Sequence, residues 1–351
     1  MNEKNKTLII LSPGFPENEK DTTCLPAQQS FVRSLNKHFP RLKIIVLAFE
    51  YPFKKSTYHW NANEVISFSG RNKGHFFRLR LWQMVWRKLK MIDKEENIIG
   101  LLSLWCTETA LIGKWFAKKN KLRHYCWILG QDARKGNKMI KYIRPDSHQL
   151  IALSDSLSIE FFLNYKIHPE HIIPNGIDTS LFFQNITEKD IDVCASGSLI
   201  FLKRYDIFIE VIKEMTRNFP TLKVILCGGG EEEDNLNTLI KKSNLENNIT
   251  LTGEISHAEV MKIMQRSKLF LHTSSYEGFS SACLEALCAG GHVISFCEPM
   301  KRKINHWHIV ETKKEMIGKA VQLLNNNETE FTSVAPFLID DTAKAMMNLF
   351  L

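Results

Sequence analysis

Two glutamates eight residues apart, Glu277 and Glu285, are the strongest chemical signal in this sequence; they lie in the stretch 274–291, just after the apolar strand candidate Leu269–His272. Glu277 falls in a loop, and Ser280 or Ser281 can cap a helix whose early turns carry Glu285. The backbone N–H groups of Gly278, Phe279 and Ser280 then form a helix N-terminus suited to a phosphate. A carboxylate beside it can accept both hydroxyls of a ribose or sugar diol. The plain alternative is two solvated glutamates on an amphipathic helix, and the strand-loop-helix context favours the ligand. A second set, Gly197, Leu199, Lys203 and Asp206, follows the strand candidate Asp192–Ala195. Taken by itself, Lys203-Arg204 reads as a solvated helix start. Cys227–Gly230 is a glycine-rich turn that lets backbone approach a ligand or simply turns tightly. Glu231–Asp234 could suggest a metal cluster, but acidic residues in a first helical turn are favoured by the dipole, and the structural reading is taken.

Together these residues resemble the family 4 glycosyltransferases of the GT-B fold, whose E-x7-E motif is matched at Glu277 and Glu285; the likeness covers most of the chain and is strongest from about residue 170 to 295. The resemblance implies that Glu277 faces the donor sugar and Glu285 binds the nucleotide ribose. It implies that the amides of Gly278, Phe279 and Ser280 touch sugar and diphosphate. The family pattern G-R-L-x-x-x-K-G-x-D is in register at Gly197, Leu199, Lys203 and Asp206, which makes Lys203 the diphosphate-binding lysine and, with Glu277, the catalytic pair. Two positions depart: Ser198 replaces the arginine and Arg204 the second glycine, and Arg204 is expected to compensate in the donor site. Gly228 joins the donor-binding set. Gly253 and Ile255 lie in Leu251–Ile255, which resembles the segment receiving the nucleobase, and Asn175–Asp178 resembles the family's N-G-[IV]-D.

Matches thin out in the N-terminal half. Gly14, in the Pro-Gly turn after the first strand, falls where the family's first loop approaches donor phosphates and acceptor, and a plain turn reads the same. Ile128–Asp132 resembles H-G-x-D with Leu129 at the histidine position, leaving Asp132 to orient an acceptor hydroxyl. None of the twelve histidines has a neighbour in sequence that marks it as a base.

The elements that must position these residues are legible as β-branched apolar runs followed by helix-like stretches, the signature of βαβ units and parallel sheets. One set comprises Thr7–Ser12, Lys43–Phe49, Ile98–Trp105, His124–Leu129, Gln149–Leu153 and His171–Pro174. A second comprises Asp192–Ala195, Lys223–Cys227, Ile249–Thr252, Leu269–His272 and His292–Phe296. The fold class expected is α/β, two Rossmann-like domains in tandem (GT-B) with an interdomain cleft. The expected division is an acceptor-binding domain at 1–182, a polar linker at 183–190, a nucleotide-sugar domain at 191–335, and a C-terminal helix at 336–351 packing back on the first domain.

At 351 residues with 44% hydrophobic and 24% charged residues, the chain can bury two cores, and no apolar run reaches the roughly 18–20 residues of a membrane span. A short apolar run after a polar N-terminus lacks the length of a signal peptide, so a cytoplasmic location is expected. Eight scattered cysteines without C-x-x-C read as reduced core thiols, and no zinc or other metal site is expected. Residues 1–150 carry 27 Lys and Arg against 12 Asp and Glu, a net of +15, and the remainder 19 against 26, a net of −7. Within the basic half, 75–94 reads as a helix with Arg80, Gln83, Arg87, Lys90 and Lys94 on one face and Leu79, Leu81, Trp82, Val85, Trp86, Leu89 and Ile92 opposite. Such a helix either lies on an anionic membrane, tryptophans at the interface, or is an ordinary helix with a solvated basic face.

The expectation is therefore a retaining, metal-independent glycosyltransferase of cell-surface polysaccharide assembly, with a UDP- or GDP-type sugar donor, no cofactor, a glycan or lipid-linked acceptor, and peripheral contact at the inner membrane face. Its rival is a non-catalytic scaffold that kept the fold. Nucleic acid is not expected as a partner, for want of a recognition motif, and a nicotinamide dehydrogenase lacks its G-x-G-x-x-G.

Overall fold

A computed structural model describes residues 6–74, 76–183 and 188–351. The chain divides into one unit of residues 1–176 with 339–351, and a second of 177–338. Residues 177–182, grouped from sequence with the first domain, thus belong with the second unit.

The first unit runs β1 (Lys6–Gly14), α1 (Pro26–His38), β2 (Lys43–Tyr51), β3 (Ser56–Trp60), β4 (Asn63–Ser67), α2 (Phe76–Glu95), β5 (Asn97–Leu104), α3 (Glu108–Asn120), β6 (Arg123–Ile128), α4 (Met139–Ile143), β7 (Leu150–Ala152), α5 (Asp155–Tyr165) and β8 (His171–Ile172). Its sheet order is β3-β4-β2-β1-β5-β6-β7-β8, parallel except where β3 pairs antiparallel to β4. Leu8–Leu11 in β1 are fully buried because helices cover both faces, which is why the strand reads as an unbroken apolar run. The β3–β4 hairpin escaped the sequence reading because β3, Ser-Thr-Tyr-His-Trp at the sheet edge, buries only its last residue.

The second unit contains β9 (Ile191–Ser196), α6 (Tyr205–Met215), β10 (Val224–Cys227), α7 (Glu233–Lys242), β11 (Ile249–Leu251), α8 (His257–Arg266), β12 (Ser267–His272), α9 (Ser281–Cys288), β13 (His292–Ser295), β14 (Trp307–Ile309) and α10 (Lys313–Asn325). Its six strands are all parallel in the order β11-β10-β9-β12-β13-β14. Strand order reverses between β9 and β12, and the crevice outside the carboxyl ends of such a pair is where open α/β sheets bind ligands.

Of the expected linker, residues 184–187 lie outside the described residues, and its flanks are fastened to the second unit. The Phe183 N–H donates to Gln265 Oε1 at 2.9 Å, the Lys189 ammonium to the carbonyls of Ser267 and Ala289 at 2.9 and 2.8 Å, and Arg266 forks onto Asp190. The last helix, α11 (Ile339–Asn348), rejoins the first unit against α1. Asp340 receives Ser34 Oγ and Lys37 Nζ at 2.8 and 2.7 Å. Phe350 lies over Gly100, where a Cβ would stand 2.6 Å from its ring.

Of the two readings of 75–94, of which His75 lies outside the described residues, helix α2 agrees with an ordinary helix bearing a solvated basic face. Leu81, Val85, Leu89 and Ile92 are buried, and Trp82 and Trp86 pack against the same core, Trp86 edge-on to Phe116 with ring centroids 5.4 Å apart. Neither tryptophan is free to sit at a membrane interface. Leu79 is exposed rather than aligned with the apolar stripe, while Arg80, Gln83, Arg87, Lys90 and Lys94 do share the solvated face. Among the described residues no helix is long and apolar enough to cross a membrane.

Candidate functional site

The second-unit residues singled out from sequence gather beyond the carboxyl ends of its sheet, on loops and, for Glu285, on α9. The loop after β9 carries Gly197, Ser198 and Lys203, and the loop after β12 carries Glu277, so the two face one another at the switch point. Backbone and hydroxyl bonds hold them together: Thr273 Oγ1 donates to the Lys203 carbonyl at 2.9 Å, and Ser275 donates through N and Oγ to the Leu202 carbonyl at 3.0 and 3.1 Å. This register places the Lys203 ammonium directly on Glu277 Oε1, as an ion pair.

Glu277 has further partners. His272 Nε2 lies 3.4 Å and Ser274 Oγ 3.5 Å from the same oxygen. Burial raises the carboxyl pKa, but the His272 bond and the Lys203 charge outweigh it and bring it down to about 2. His272, fully enclosed, is itself pushed below its ordinary value by burial against the pull of Glu277, and its Nδ1 has no partner. With the Nε2–H donated to the carboxylate, a neutral imidazole satisfies this geometry.

Ser280 caps α9, its Oγ accepting the Cys283 N–H at 3.3 Å, which puts Gly278–Ser280 at the helix N-terminus and Glu285 on its second turn. Phe279 is fixed between Trp307 and Phe337, with centroids 5.8 and 5.5 Å away. Glu285 Oε1 meets His257 Nε2 at 2.8 Å. His257 is the first residue of α8, whose N-terminus is closed by a reciprocal Ser256–Glu259 capping box. Thus His257 partners Glu285 and His272 partners Glu277, contacts not foreseen by a sequence reading in which no histidine had a neighbour marking it as a base. His272 stands five positions before Glu277 at a strand end, whereas nothing local marks the 28-position link from His257 to Glu285.

The glycines of this site lock loop to loop. At Gly228, φ is +143° and a Cβ would stand 2.0 Å from the Gly197 carbonyl oxygen. The Gly197 N–H donates to the Cys227 carbonyl at 3.0 Å, the Leu199 N–H to the Gly229 carbonyl at 2.9 Å, and the Gly228 N–H to the Gly253 carbonyl at 3.0 Å. Gly228 therefore serves close packing of the loops after β9, β10 and β11, with Gly253 at the same junction. Ile255 continues from it to the Ser256 cap of α8.

Arg204 takes a different course from the one expected. It occupies the left-handed region at φ 51°, which explains why the family pattern carries glycine there. Its guanidinium forks onto Asp206, with Nε–Oδ1 and Nη2–Oδ2 both 3.0 Å, and stands over the Phe201 ring. The guanidinium expected to replace the missing arginine is thus engaged with Asp206.

In the first unit, Gly14 ends β1 against Tyr51, whose Cβ would lie 3.3 Å from a Cβ at Gly14. Asp132 is buried, and its oxygens accept three backbone N–H groups: Cys106 at 2.7 Å, Gly130 at 2.8 Å and Leu129 at 3.2 Å. Burial raises its pKa to about 6 against the pull of those amides. Its carboxylate closes the turn after β6 and ties it to the loop after β5. Among the described residues no three His, Cys, Asp or Glu side chains converge as a metal ion would need.

The family model for glycosyl transferases group 1 matches residues 177–333. The chain is 24% identical over 203 residues to the phosphatidylinositol N-acetylglucosaminyltransferase gpi3 subunit of Schizosaccharomyces pombe, covering 56% of this chain and 44% of the relative. It is 30% identical over 150 residues to 2-deoxystreptamine N-acetyl-D-glucosaminyltransferase of Niallia circulans, covering 43% and 36%. The chain thus spans less than half the length of these curated relatives. Anabaena HepE, solved in complex with UDP-glucose, superposes with a TM-score of 0.68 over 97% of this chain and 94% of that one at 16% identity. The fold is accordingly that of GT-B glycosyltransferases, two α/β units each built on a parallel sheet, and the part of the chain that matches the group 1 glycosyl transferases is residues 177–333, the segment holding Lys203, Glu277 and Glu285 with their histidine partners.

Proposed function

We propose that this chain is a family 4 glycosyltransferase that moves a sugar from a nucleoside diphosphate donor, of UDP or GDP type, to a glycan or lipid-linked acceptor with retention of configuration, in cell-surface polysaccharide assembly. The observation that carries the reading is the Lys203–Glu277 ion pair at the switch point of the second sheet, beside the capped N-terminus of α9. A diphosphate entering there meets a cation and a helix N-terminus, and it competes with Glu277 for Lys203. Once Lys203 turns to the leaving diphosphate, Glu277 is left ionised toward the sugar. Glu285, held by His257 through one oxygen, accepts the ribose hydroxyls through the other. N-acetylglucosaminyl transfer is named for both curated relatives, which makes UDP-N-acetylglucosamine the first donor to try.

Lys203 and the helix N-terminus supply the electrostatic stabilisation that a divalent cation supplies elsewhere, so transfer is metal-independent. The test is release of nucleoside diphosphate from a panel of UDP and GDP sugars, with and without EDTA, followed by the anomeric configuration of the product. Release from one donor, insensitive to EDTA and giving the retained anomer, is expected. A scaffold reading draws on Ser198 at the arginine position and on Arg204 being closed on Asp206; release from no donor, together with no nucleotide binding, would establish it.

A further inference from the structure

Residues 53–55, 71–74 and 77–80 of the first unit are exposed throughout. Three of them are large and apolar, with Phe53 55%, Phe77 61% and Leu79 53% accessible. The guanidinium carbon of Arg71 lies 5.9 Å from the Phe53 ring centroid, and Arg71 Nη2 donates to the Phe53 carbonyl at 2.6 Å. The Lys73 ammonium lies 5.1 Å from the Phe77 centroid. Because Arg71 and Lys73 are two residues apart, both rings belong to one corner. Lys55 Nζ, 3.5 Å from Met84 Sδ, fastens the 53–55 loop to α2.

Two acids reach this corner: Glu50 Oε2 accepts the Asn72 N–H at 2.6 Å, and Glu108 pairs with Arg78 at 2.8 Å. Lys54, Lys55, Arg71, Lys73 and Arg80 outnumber them and set the sign of the field around the two exposed rings. Large apolar groups exposed together and rimmed by polar ones mark an interaction surface, and here the rim is cationic.

We infer that this corner docks the protein on an anionic lipid surface, with Phe53 and Phe77 entering the headgroup region and the cations facing lipid phosphates. Lipid is favoured over a nucleic acid because each ring already carries a cation, which leaves a poor stacking platform for bases. Shallow insertion needs no stacking geometry. This surface replaces the tryptophans of α2 as the apolar component, since those pack inward. It stands independently of the donor site, whose residues lie in the second unit.

The test is co-sedimentation of the full chain with vesicles of phosphatidylcholine, with and without phosphatidylglycerol, at low and high salt. Binding that requires phosphatidylglycerol and weakens with salt is expected. Phe53→Ser with Phe77→Ser should reduce it about tenfold at unchanged Tm, Phe53→Leu with Phe77→Leu should restore it to within about threefold, and Lys54→Glu with Lys73→Glu should reduce it about tenfold or more. Arg87→Gln with Lys90→Gln and Lys94→Gln, on the solvated face of the same helix, should change it by less than about twofold. Binding indifferent to the aromatic pair, an equal loss from the Arg87, Lys90 and Lys94 changes, or capture of single-stranded RNA without capture of vesicles would each overturn the inference. Nucleotide binding and sugar transfer to a soluble acceptor are expected unaltered in the corner variants, so failure here and failure of the transferase reading are separable.

Discussion

Two loops of this molecule place a carboxylate beyond the carboxyl end of a parallel strand, the buried Asp132 after β6 and the part-buried Glu277 after β12, and the two carboxylates are held in opposite ways. Asp132 is surrounded by backbone amides, and burial wins, raising its pKa to about 6. Glu277 is surrounded by side chains, Lys203, His272 and Ser274, and these win against burial, bringing its pKa down to about 2. Backbone amides cannot leave without undoing the turn. A lysine can exchange its carboxylate for a phosphate. The difference separates a carboxylate fixed by backbone from one held by side chains that can exchange partners.

The largest effect that would test this contrast comes from Glu277→Gln, which keeps the shape and removes the charge. Turnover should fall by about a hundredfold or more, with nucleotide affinity changed far less, measured by steady-state kinetics beside nucleotide titration. A loss confined to KM would instead give Glu277 a purely binding role. Asp132→Ala should lower stability by about 2–4 kcal/mol in denaturant titrations, since three buried amides lose their acceptor, while nucleotide affinity stays as in wild type.

The pH dependence of stability separates the two carboxylates by sign. The folded value of Glu277, about 2, lies below its ordinary 4.5, so its contribution is full above about pH 4.5 and fades as pH falls toward 2. The folded value of Asp132, about 6, lies above its ordinary 3.8, so the folded state binds more protons and stability falls as pH rises from about 4 to about 6. Denaturant midpoints against pH should therefore lose their decline between about pH 4 and 6 in Asp132→Ala and their acid-side loss below about pH 4.5 in Glu277→Gln.

The smallest effect concerns Arg204. Arg204→Gly relieves a left-handed residue and removes the Asp206 fork, two contributions of about 1 kcal/mol or less and opposite sign, so stability should move by under about 1 kcal/mol and nucleotide affinity by under about twofold. A tenfold loss of affinity would return Arg204 to the donor site.

How much of this was legible depends on whether the cause was local. Strands buried on both faces, such as β1 and β12, announce themselves as apolar runs, and Ser280 and Ser256 sit where a helix start needs a cap. Glu277 was a candidate from its strand-loop-helix context and Lys203 from the resemblance to the family pattern, yet their ion pair depends on β9 and β12 being neighbours, which only strand order decides. The fork of Arg204 onto Asp206, the role of Gly228 against Gly197 and the His257–Glu285 bond are set by side-chain direction and loop contact. The edge strand β3 and the three-residue β14 bury too little to leave a pattern. The wheel of α2 gave the basic face and the inward side of Trp82 and Trp86 correctly and misplaced only Leu79; it could not tell a core from a membrane, because half-buried rings on a surface helix have the same periodicity as rings facing lipid.

Everything proposed for the second unit rests on its binding a nucleoside diphosphate through Lys203, the N-terminus of α9 and Glu285. Calorimetric titration of wild type and Glu285→Ala with UDP, GDP, ADP and TDP reads this without any assumption about the acceptor. One of the four should bind the wild type, and Glu285→Ala should weaken that one by about tenfold or more through loss of the ribose contact. Equal affinity in the two proteins, or binding of none of the four by the wild type, would contradict it.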